Sequence, residues 1–179
     1  MRPGGGRRRS RALTGLSDCP PPPPPRGLDA VPTPARWLGY AGVLPFALAV
    51  PAIWLGSEAV SGFAAFAVVL YGAVILSFLG GLAWGATCAA TVDGGWEPTH
   101  SRLLAASVVP ALIGWGAALL PSGYGLAVLA LSFVGVLAID RRLASLRMVP
   151  PWWMTLRRRL SLSVAALLLV AAFAVPAGG

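Results

Sequence analysis

The chain has 179 residues, is 56% hydrophobic and has a mean hydropathy of +0.74. Only 11% of its residues are charged, against about 25% in soluble domains, which excludes a water-soluble fold and makes the bilayer part of its solvent. The net charge is +8, from fourteen arginines, no lysine and six acids, with a pI near 11.3. Such a pI raises nucleic acid as a partner; because the arginines flank apolar segments, where membrane orientation signals lie, no nucleic-acid partner is expected.

Residues 1–34 read as a disordered tail. They hold Gly4-Gly5-Gly6, Arg7-Arg8-Arg9 and six consecutive prolines, Pro20 to Pro25, which favour polyproline II over helix. The Arg7-Arg8 pair is followed by prolines rather than an apolar stretch, so no cleaved export signal is expected. Val31 stands just ahead of the first apolar segment, where an alternative start codon would leave the tail untranslated. Cys19 and Cys88 are too few and too far apart for a disulfide framework or a metal site.

Residues 35–176 read as one all-α domain, a polytopic bundle of five transmembrane helices. The first, about 37–56, carries Trp37, Tyr40 and Trp54 at its ends as interfacial aromatics, and Pro45 and Pro51 predict a kink within it. The second spans about 62–86. A polar connection, 87–102, follows, with Asp93-Gly94-Gly95 as its turn. The third spans about 103–120 with Pro110 inside, and Pro121-Ser122-Gly123 forms a tight turn. The fourth spans about 124–139 and the fifth about 160–175.

Charge sets the orientation. With the N-terminus in the cytoplasm, residues 1–36, 87–102 and 140–159 lie inside and hold every arginine. The opposite segments, 57–61, 121–123 and the C-terminal tail, hold none, as the positive-inside rule requires. The arginine-only basic set, with abundant Ala, Gly and Pro, suggests a GC-rich bacterial genome and hence a bacterial inner membrane.

Small residues recur every four positions on the second helix: Ala73, Ser77, Gly81, Gly85 and Ala89, with Gly80 beside them. The third helix has a similar row of Ala106, Pro110, Gly114 and Ala118. Such rows let backbones approach closely. Ser77, Gly80, Gly81, Gly85, Pro110 and Gly114 are therefore candidate packing residues between the two helices, with homodimerisation or a ligand-facing groove as alternatives. No ionisable residue falls deep inside a predicted span, which argues against an ion-coupled transporter; Asp140 reads as a local pair with Arg141 and Arg142. The lone His100 reads as a solvated loop residue. No HExxH, CxxC, GxSxG or phosphate-binding loop occurs, so no catalytic residue, cofactor or metal is expected. Trp37, Trp152 and Trp153, with Arg157, Arg158 and Arg159, read as interfacial anchors that meet headgroups and lipid phosphates.

Three stretches are similar to a known family: Leu38-Gly39-Tyr40-Ala41-Gly42-Val43-Leu44-Pro45-Phe46, Tyr71 through Gly81 continuing to Trp84-Gly85, and Ser107-Val108-Val109-Pro110. The segment from Pro151-Trp152 to Arg157 adds a fourth. The core resembles uncharacterised bacterial inner-membrane proteins, a family that also includes mitochondrial transmembrane protein 69. Relatives often carry a polar residue where this chain has Ala83. The resemblance implies a multi-pass membrane protein and carries no activity. The expectation is a non-enzymatic protein that acts through membrane lipid, other membrane proteins or self-association; a small-molecule or lipid permease is the alternative.

Overall fold

The computed structural model describes residues 27–175. Most of the expected tail therefore lies outside the described residues. Its last part does not follow that expectation: Gly27–Ala30 form a 3-10 turn, Val31 is buried, and the first helix begins at Thr33.

The first span is two helices, α1 (Thr33–Ala41) and α2 (Leu44–Leu55). The break at Gly42-Val43 is a tight turn, with Gly42 N–H donating to the Leu38 carbonyl and Val43 N–H to that of Tyr40. Pro45 accounts for its position, because a proline ring obstructs the carbonyl four residues earlier, here Ala41. Pro51 is accommodated inside α2.

α3 (Glu58–Gly94) runs for 37 residues, about 55 Å at 1.5 Å per residue. It absorbs the first half of the expected polar connection. No proline occurs between Pro51 and Pro98 to interrupt it, and it stops at Gly95, whose φ of 73° and ψ of −178° lie in a region essentially open only to glycine. α4 (Pro98–Ala118) starts earlier than expected, on a capping box of Glu97 and His100 with Pro98 at its first position.

α5 (Ser122–Ser145) continues past Ile139 through Asp140, Arg141 and Arg142. It ends in a Schellman motif: Met148 N–H donates to the Leu143 carbonyl and Arg147 N–H to that of Ala144. Arg147, with φ 57°, takes the place usually held by glycine. α6 (Trp153–Ala174) begins seven residues before the expected boundary.

α2, α3, α5 and α6 pack each against the next in a closed ring, and α4 lies against α3 and α5. The ring is filled by Phe46, Leu76, Leu126, Leu129, Phe133 and Leu168, with the Phe46 ring 5.1 Å from Tyr71 and 5.9 Å from Phe133. Residues 33–55, 58–92, 98–118 and 122–145 are long and apolar enough to cross a membrane. α6 carries three arginines in its first two turns, and its apolar run from Leu160 to Ala174 is about 22 Å long.

One end of the bundle gathers all the arginines among the described residues. Ala83, Leu103 and Leu143 cluster there, Asp140 meets Arg157, and Gly39 lies against Leu156 and Leu160. Those contacts bring together α1, the starts of α4 and α6 and the C-terminal parts of α3 and α5. At the opposite end Trp54 Nε1 donates to the Val170 carbonyl, tying α2 to α6.

A buried ion pair beside an open glycine groove

Asp140 is 5% exposed and Arg157 7% exposed. Arg157 Nε donates to Asp140 Oδ2 at 2.9 Å, and Trp153 Nε1 donates to Asp140 Oδ1, also at 2.9 Å. This corrects two expectations. Asp140 pairs across helices rather than with Arg141 or Arg142, both of which are exposed. Arg157 is an interior residue rather than a lipid anchor. Adjacent residues on a helix point in different directions, which is why Asp140 cannot share a face with Arg141 or Arg142. On α6 the buried positions Arg157, Ser161, Val164, Leu168 and Ala171 follow alternating steps of four and three, so Arg157 belongs to the core face. Arg157 Nη2 and Ser161 Oγ, one turn apart, are buried without a hydrogen-bond partner among the described residues.

A cavity of about 380 Å³ adjoins this pair. Asp140, Trp153 and Pro150 line one side, and Gly81, Gly85 and Ala89 of α3 line the other. A Cβ added at Gly81 or Gly85 would meet nothing within 4 Å. Of the six candidate packing residues, three therefore lie elsewhere than expected: Ser77, Gly81 and Gly85 are exposed. Ser77 instead donates its hydroxyl to the Ala73 carbonyl within α3. The α3–α4 interface does contain Gly80, Pro110 and Gly114. A Cβ at Gly80 would overlap the Ser107 carbonyl oxygen, and one at Gly114 would come within 3.0 Å of the Ala73 Cα.

Among the anchor candidates, Trp37, Arg158 and Arg159 are exposed, whereas Trp152 and Trp153 are half-buried with ring centroids 6.1 Å apart. His100 is buried rather than solvated, because its Nδ1 accepts the Glu97 backbone N–H at 3.0 Å and closes the cap of α4. Among the described residues no group of three or more His, Cys, Asp or Glu side chains is placed to hold a metal ion.

A family model described as "Protein of unknown function (DUF3429)" matches residues 31–173. The chain belongs to this family. Within it, the chain is 38% identical over 133 residues to transmembrane protein 69 of Xenopus tropicalis, covering 74% of the chain and 51% of that relative. It is 31% identical over 126 residues to transmembrane protein 69 of Mus musculus, covering 70% of the chain and 50% of the relative. The chain thus spans about half the length of these curated relatives. No solved structure matches it. The DUF3429 match runs from Val31 to Phe173, one residue short of the end of α6, and includes the Asp140–Arg157 pair. With relatives named as transmembrane proteins and four helices fit to cross a membrane, this is a multi-pass membrane protein.

Proposed function

We propose that this DUF3429 protein is non-enzymatic and acts by docking other proteins at the basic end of its bundle. The observation that supports this reading is the exposed small-residue side of α3. Gly81, Gly85 and Ala89 are open to close approach by a second backbone. The neighbouring carboxylate is already neutralised by Arg157, so a partner need not meet an unpaired buried charge. The same end collects the arginines, which supports a cytoplasmic placement of that end, with the start of α1 inside. The arginine-only composition supports a bacterial inner membrane. Trp37, Arg158 and Arg159 are proposed to anchor that end in the headgroups. The permease alternative gains less, because bulky side chains fill the centre of the ring.

The experiment is gentle-detergent purification of the wild type against Gly81→Leu and Gly85→Leu. Both variants are expected to keep the wild-type Tm, since among the described residues nothing lies within 4 Å of a Cβ at either position and the groove beyond is open, and to lose stoichiometric co-purifying protein. A wild type that purifies as the monomer alone, or variants that retain every partner, would overturn the reading.

A further inference from the structure

A second cleft, of about 370 Å³, opens between the start of α4 and the end of α5. Its polar wall is Thr99, Arg102 and Arg142; its apolar wall is Leu103, Ala106, Ala138 and Ile139. We propose that this cleft binds the headgroup of an anionic phospholipid. Arg102 and Arg142 are both exposed, and neither pairs with a carboxylate among the described residues. Asp140 is two residues from Arg142, but it faces α6 and is held by Arg157 and Trp153. Two unpaired guanidinium groups and a hydroxyl on one rim match a phosphate, which accepts bidentate hydrogen bonds from arginine. The apolar wall decides for a lipid over a free phosphate. Below Ala106, Val109 and Ile113 continue its helix face, and below Ala138, Val134 and Gly135 continue theirs, all exposed. That leaves an apolar seam along which an acyl chain can lie. Basic pockets between membrane helices at such an end hold anionic headgroups.

The test uses the full chain in nanodiscs of phosphatidylcholine with increasing phosphatidylglycerol, with bound lipid counted by native mass spectrometry. The wild type is expected to retain phosphatidylglycerol selectively. The double variant Arg102→Gln/Arg142→Gln should lose roughly 30-fold in apparent affinity while keeping its Tm in pure phosphatidylcholine. The Arg141→Gln control, at an exposed arginine outside the cleft, should keep most of its selectivity, and Arg102→Lys/Arg142→Lys should recover part of what the double glutamine variant loses. Equal retention of phosphatidylcholine by the wild type, undiminished selectivity in the double glutamine variant, or displacement of the lipid by millimolar inorganic phosphate would overturn the proposal.

Discussion

Asp140 and Arg157 are the residues on which the basic end turns. Removing one partner of a buried pair leaves the other charged and alone, which costs about 3 kcal/mol or more. Asp140→Asn is therefore expected to lower stability by about that much, although Asn can still accept from Trp153. Asp140→Asn/Arg157→Gln should recover part of the loss, because neither charge is then stranded; a double-mutant cycle on Tm in detergent reads the coupling. Arg147 offers a contrast, since its left-handed backbone costs an L side chain about 1 kcal/mol. Arg147→Gly should raise the Tm and Arg147→Val should lower it. Neither residue is easily read from the chain. The apolar run ends at Ile139, so Asp140 looks like a terminus. Its partner lies seventeen residues away, across a loop whose path local sequence does not specify. The available signal was the steps of four and three that place Arg157 in line with Ser161, Val164 and Leu168.

At the level of elements, the two small-residue rows show what a repeat of four can and cannot specify. A step of four advances 400° around a helix, so a strict row drifts by about 40° each time. Ala73 still faces Gly114, but Gly85 and Ala89 have swung toward α5 and the start of α6. The face that stays against the bundle alternates its steps: Leu76, Gly80, Ala83 and Thr87 on α3, and Leu103, Ser107, Pro110, Gly114 and Ala117 on α4. Neighbouring glycines should then respond with opposite sign. Gly80→Ala forces a methyl into the Ser107 carbonyl and is expected to cost about 1–3 kcal/mol. Gly81→Ala points into open space and should be neutral or stabilising by about 0.5 kcal/mol through helix propensity. Thermal unfolding of the two variants in one detergent checks the pair. The helices themselves were legible because their apolar runs are long and bounded by Pro and Gly. Their ends were less so: α3 outlasts its apolar run because only glycine stops it, and α6 starts early because Arg157 is neutralised from another helix.

For the whole molecule, composition excluded a soluble fold, and the arginine distribution grouped the helix ends that the bundle brings together. The filled ring of α2, α3, α5 and α6 was not legible, because apolar sequence alone does not say which helices are neighbours. The proposed orientation needs five crossings, including α6, whose apolar run reaches about 22 Å unaided. Burying Arg157 against Asp140 adds another turn to what the bilayer accepts, and the exposed Arg158 and Arg159 can extend to the headgroups. The measurement that tests this most directly is labelling of single cysteines in intact cells with a membrane-impermeant thiol reagent, in a chain with Cys19 and Cys88 changed to Ser. Ser57→Cys, Ser122→Cys and, directly after α6, Val175→Cys should label from outside, and Ser145→Cys and Ser101→Cys only after lysis. Labelling of Ser145→Cys in intact cells, or protection of Ser57→Cys, would contradict a single basic face turned to the cytoplasm.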